Sequence, residues 1–186
     1  MEFSFASMFI LKLALLSLLG IATFANNIPT NKLISDICPK TKNPKKCADI
    51  LSIGNSTRPA IPLDGLGLTI LDVAIFQANL SVDAFNLVII KIKNLPTKEK
   101  EKYQKCGDGY AGAVKKLGDA KTAWIKKNYA LARKSIEVAN DAPISCEKEL
   151  KAIPPPLISV TTVNEISHIT FEIALVIVKH LEGTQK

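Results

Sequence analysis

From Leu66 onward, apolar residues recur at Leu66, Ile70, Val73, Leu80, Ala84 and Leu87, with Gln77 completing alternating steps of four and three. Strand faces repeat every two residues and cannot use that spacing, so the stretch predicts a long amphipathic helix. It should end near Asn94-Leu95-Pro96, because proline biases its predecessor away from helical geometry, and Thr97 is positioned to cap a new start. In the next segment Tyr103, Cys106, Tyr110, Ala113, Leu117, Ala120 and Trp124 step by three and four without a miss. Lys105, Asp108, Lys115, Asp119 and Lys126 fall elsewhere on the helix, giving one buried seam and one solvated face.

After a turn at Lys126-Lys127-Asn128, the same spacing continues through Ala132, Ile136, Ala139, Cys146 and Leu150, and Pro143 should kink or split this third helix. Ile153-Pro154-Pro155-Pro156 reads as an extended link, after which Thr162-Val163-Asn164-Glu165 offers a capping box. The last helix carries Ile166, Ile169, Ile173 and Val176 on one line, broadened by Ile177, with Phe171, Leu175 and Val178 on other sides. It should be the most buried of the four and stop near Gly183. With no repeat and no alternating run long enough for a sheet, the pattern predicts an all-α protein built on an antiparallel four-helix bundle.

The amino terminus bears on the compartment. Leu13–Ala22 is a short apolar run behind Lys12, followed by the small residues around Thr23 and Ala25, so residues 1–25 read as a secretory signal, an uncleaved anchor being the alternative. The rest, Asn26–Lys186, suffices for one core. Its organisation is expected as a helical hairpin over residues 26–60 ahead of a bundle over 61–186. The signal contains one lysine and one glutamate, so the net charge of +7 is unaffected by its removal. In an oxidising compartment the four cysteines, Cys38, Cys47, Cys106 and Cys146, read as two disulfides. Zinc is disfavoured because no C-x-x-C pair occurs and neither His168 nor His180 is spaced to match the cysteines.

Of the three possible connectivities, symmetry favours Cys38 with Cys47 and Cys106 with Cys146. The midpoint of the second pair is residue 126, at the predicted turn. The midpoint of the first falls between Lys42 and Asn43, where Asn43 can cap and Pro44 can open a helix, with Asn31–Ile37 as the other arm. The loop CPKTKNPKKC is then the tip of a stapled hairpin. The tripeptides beginning at Asn55 and Asn79 are candidate glycosylation sites.

Cys38, Pro39, Thr41, Pro44 and Cys47 form a C-P-x-T-x-x-P-x-x-C arrangement that resembles the amino-terminal signature of plant invertase and pectin methylesterase inhibitors. The resemblance continues through Leu63-Asp64-Gly65-Leu66, Tyr103-Gln104-Lys105-Cys106, Tyr110-Ala111 with Leu117 and Ala120, and Ser145-Cys146-Glu147. It implies a four-helix bundle behind a disulfide-stapled hairpin, secreted to the cell wall, with the vacuole as the alternative. It also implies both cystines as paired above and one-to-one inhibition of a carbohydrate enzyme by covering its substrate cleft. Inhibitors of invertase in this family carry Pro-Lys-Phe in the turn between the second and third bundle helices. Here the turn reads Ile125-Lys126-Lys127-Asn128-Tyr129-Ala130, which points to pectin methylesterase, with acid invertase as the alternative.

Neither a G-x-S-x-G nor an H-E-x-x-H motif occurs, and Gly107-Asp108-Gly109 lies in a helical seam, so an enzyme is not expected. No cofactor is implied. His180 is placed on the last seam and His168 on the surface. The lysines of Lys98–Lys102 read as a solvated face rather than a polyanion site, and nothing suggests nucleic acid or, after signal cleavage, a membrane. A small-ligand carrier is the third reading. The partner surface is expected on the exposed faces of the second and third bundle helices and their turn, at Lys126, Lys127, Asn128 and Tyr129, on a monomer.

Overall fold

The computed structural model describes residues 32–52, 62–153 and 158–184, and among these there is no strand. The signal segment, the Asn55 tripeptide, the hairpin–bundle boundary near residue 60 and the three prolines of the last link lie outside the described residues. Six helices follow one another: α1 Lys32–Ile37, α2 Pro44–Ser52, α3 Leu63–Lys91, α4 Thr97–Ile125, α5 Tyr129–Lys151 and α6 Ile158–Thr184. One 3₁₀ turn, Cys38–Lys40, extends α1.

Helices α1 and α2 form the hairpin. Asn43 caps α2, its Oδ1 accepting from the Lys46 amide at 3.0 Å, and Pro44 opens it. The Cys38–Cys47 disulfide holds the arms 5.5 Å apart at Cα. The tip rests on α6, where the Lys42 amide donates to Glu172 at 3.1 Å and Lys46 pairs with Glu165 at 2.5 Å. In the bundle α4 packs on α3 and α5, and α6 closes the ring against both. Trp124, Tyr110, Phe85 and Phe171 fill the centre, with Phe85 and Tyr110 stacked 5.9 Å apart. The second disulfide, Cys106–Cys146, joins α4 to α5 at a Cα separation of 4.9 Å.

A polar layer crosses this core. Tyr110 Oη donates to Asn164 Oδ1 at 2.8 Å, Asn164 Nδ2 donates to the Pro143 carbonyl at 3.1 Å, and the Ser81 and Ser167 hydroxyls meet at 3.0 Å. All four bundle helices thus share one hydrogen-bonded level, which fixes their relative height as apolar contacts alone do not. Burial pushes the Tyr110 phenol well above its ordinary pKa, so it stays a donor.

Several expectations are corrected. Of the expected α3 seam Ile70 is buried, Leu66, Val73, Gln77 and Ala84 are half-buried and Leu80 and Leu87 are exposed; the buried line is Gly67, Ile70, Leu71, Ala74, Ala78, Ser81, Phe85 and Val88. Thr97 is the first residue of α4 and makes no cap bond, Pro96 occupying the cap position. Pro143 does not split α5, because a proline inside a long packed helix removes one amide bond that the surrounding contacts outweigh. Helix α6 begins at Ile158, ahead of the proposed capping box, and Asn164 is buried in the polar layer instead. His168 is buried rather than on the surface, and His180 is exposed rather than on the seam.

Candidate functional site

The α4–α5 face and its connecting turn can be built from the turn outward. Helix α4 stops at Ile125, and Lys127 takes a left-handed backbone, φ 58°. The Asn128 amide then donates to the Ala123 carbonyl at 2.9 Å and the Lys127 amide to the Trp124 carbonyl at 2.8 Å, the paired bonds of a Schellman stop. Glycine usually fills the left-handed position, and a lysine there costs about 1 kcal/mol. Asn128 immediately caps α5, its Oδ1 accepting from the Leu131 amide at 3.1 Å.

What holds Lys127 is Asp64, in the first turn of α3. One oxygen of Asp64 accepts from Trp124 Nε1 at 2.9 Å and from Tyr129 Oη at 2.7 Å, and the other pairs with Lys127 Nζ. Tyr129 is buried and stands edge-on to Trp124, with ring centroids 5.6 Å apart. The Lys127 contact, joined by those of Tyr129 and Trp124, holds the Asp64 carboxyl below its usual pKa, while the same pair raises Lys127. Of the four residues singled out in the turn, Lys126, Lys127 and Asn128 are exposed. Tyr129 is not: it closes the bundle end, because its hydroxyl reaches an inward carboxylate. Asp64 is the residue missed. In the sequence it is one member of the Leu63-Asp64-Gly65-Leu66 motif, and its proximity to Trp124 and Tyr129 exists only in three dimensions.

Beyond the turn, α4 and α5 approach closely because small residues line their contact. A Cβ on Gly109 would sit 3.7 Å from that of Ala142, an ordinary packing distance, and one on Gly112 would meet nothing within 4 Å. With Ser145 and the disulfide, these residues floor a surface groove of about 480 Å³. Lys105 and Glu149, paired at 3.5 Å, stand at its rim with Lys116 and Asp141, and Val138 is 53% exposed beside it. Such a groove can receive a protruding side chain from another protein and read its charge at the rim. No group of three or more histidine, cysteine or acidic residues placed to hold a metal occurs among the described residues.

A family model described as plant invertase/pectin methylesterase inhibitor matches residues 32–177. A pectinesterase inhibitor of Actinidia deliciosa is 33% identical over 126 residues, which is 67% of this chain and 65% of that one, so the chain spans just under two thirds of that relative's length. Two solved structures share the fold. A mutant form A of a pectin methylesterase inhibitor from Arabidopsis matches with a TM-score of 0.72 at 24% identity, over 78% of this chain and 95% of that one. A pectin methylesterase inhibitor from Arabidopsis thaliana matches with 0.61 at 23%, over 83% and 98%.

Proposed function

The chain belongs to the plant invertase/pectin methylesterase inhibitor family, and on that premise we propose that it is a secreted inhibitor covering the substrate cleft of a pectin methylesterase one to one. The observation that favours pectin methylesterase over acid invertase is the inward Tyr129. Family inhibitors of invertase are expected to present a lysine and an aromatic together from this turn. Here both candidates, Lys127 and Tyr129, are engaged by Asp64. The contact surface is then the α4–α5 face, from its groove to the exposed Lys126 and Lys127 of the turn. Blocking requires shape and charge complementarity and no chemistry by the inhibitor. Carbohydrate on Asn55 belongs to the same reading, with Asn79, exposed on α3 away from this face, as the second candidate acceptor.

Parallel titration against a plant pectin methylesterase and a plant acid invertase tests the proposal. The protein should inhibit the first alone. Gly112→Trp, which fills the groove from a position with open space around its Cβ, should weaken inhibition at least about tenfold with no loss of thermal stability. Inhibition of neither enzyme overturns the reading. Inhibition of invertase alone moves the target, and full potency in Gly112→Trp moves the surface.

A further inference from the structure

Helix α3 is apolar nearly all round, yet only 28% of its most apolar stretch is buried, against 56% for α6. A helix apolar on every side requires cover on every side. The uncovered residues are Phe76 at 59% exposure, Leu80 at 40%, Leu87 at 41% and Ile90 at 71%. Together with half-buried Val73 and exposed Asp83, they form a strict seam of steps three and four, nearly opposite the residues that face the core.

We infer that this stripe is a self-association surface, on which α3 of a second copy packs antiparallel about a two-fold axis between Ser81 and Val82. The seam is complementary to itself in that arrangement. Val73 meets Ile90 of the second copy, Phe76 meets Leu87, and Leu80 meets the stem of Asp83. The flanks match as well. Asp72 lies across from the turn that carries Lys93 of the second copy, just past the end of α3, and Asn79 faces Asn86, each pair occurring twice. All four are exposed. Asp72 already pairs with Lys121 of its own chain at 2.5 Å and retains 56% side-chain exposure for a second cation. Lipid is the poorer occupant, since Asp72, which stands outside the seam of the pair, would have to enter it as well as Asp83. Residues 73–90 span about 26 Å of helix, a single-helix seam, so the association should be weak and concentration-dependent. The α4–α5 groove stays open in such a pair. Carbohydrate on Asn79 would stand in the seam and forbid it.

Sedimentation of the purified, unglycosylated protein decides the matter. A dimer at high micromolar concentration is expected. Leu87→Lys should weaken it more than about tenfold while leaving thermal stability and enzyme inhibition unchanged. Asp72→Lys and Lys93→Asp should each weaken it, and the double reversal should restore it. A protein carrying carbohydrate at Asn79 should be monomeric. A monomer at every concentration, a dimer indifferent to Leu87→Lys, a charge reversal without rescue, or a monomer that binds lipid vesicles through the stripe would each overturn the inference.

Discussion

Two single residues show how little room the interior leaves. Gly67 lies against Trp124 so closely that an added Cβ would come within 1.9 Å of the indole ring. Neither partner can yield, since the indole is fully buried and its Nε1 is held by Asp64. Gly67→Ala should therefore cost roughly 3 kcal/mol, the upper range of overpacking, despite the better helix propensity of alanine. Gly118→Ala, which meets nothing within 4 Å, should instead stabilise by up to about 1 kcal/mol, and paired thermal melts separate the two. His168 is the second case. Burial holds its pKa below the ordinary value, with Lys42 of the hairpin adding to the effect and Glu172 and Glu147 opposing it. The unfolded chain thus takes up this proton at higher pH than the folded one. The contribution of the neutral histidine is complete above the unfolded pKa and declines as pH falls through and below it. His168→Gln should flatten the fall in thermal midpoint between about pH 7 and pH 5, and an unchanged slope would assign that fall to other groups.

At the level of elements, legibility depended on whether a helix is two-faced. Helix α4 carries all its charge off the core face and its large side chains on it, so its seam, Tyr103 to Trp124, could be read from spacing alone and is buried throughout. The seam of α5 was equally plain. In α3 almost every line of residues is apolar, and a search for large side chains selects Leu80 and Leu87. The core prefers Gly67, Ala74, Ala78 and Ser81, and at Gly67 the reason is the Trp124 indole from α4, which leaves no room for a Cβ. Small residues at a seam announce a large neighbour, and the neighbour's identity is tertiary information. The candidate site divides in the same manner. The turn and the exposure of Lys126 follow from the sequence, whereas the inward course of Tyr129 required the position of Asp64, more than sixty residues away in the chain. Asn164 illustrates a further limit, since a capping-box pattern and a buried hydrogen-bonded asparagine look alike in one dimension.

For the whole molecule, the two disulfides restrain different things. Cys106–Cys146 closes a loop of sequence separation 40 between helices that already share their full length. Cys38–Cys47 closes one of 9 within a hairpin that, among the described residues, packs chiefly on α6. Loop entropy assigns the larger ring about 4 kcal/mol and the smaller about 2.5. Location should matter more than this difference. Without the larger cystine the unfolded bundle gains freedom everywhere, so the Cys106→Ala, Cys146→Ala variant should lower the midpoint of the whole cooperative transition. Without the smaller one the hairpin keeps its exposed Lys42 and Lys46 contacts to α6, which are worth little, and the few apolar side chains it buries, Ile34, Ile37 and Leu51. The Cys38→Ala, Cys47→Ala variant should then lose amide protection over residues 32–52 while residues 62–153 keep theirs. Hydrogen exchange by segment distinguishes the outcomes. If both variants lost protection uniformly, hairpin and bundle would form one cooperative unit. If the hairpin alone opened, the chain would comprise a stapled module leaning on an independently stable bundle, with the α4–α5 groove wholly within the latter.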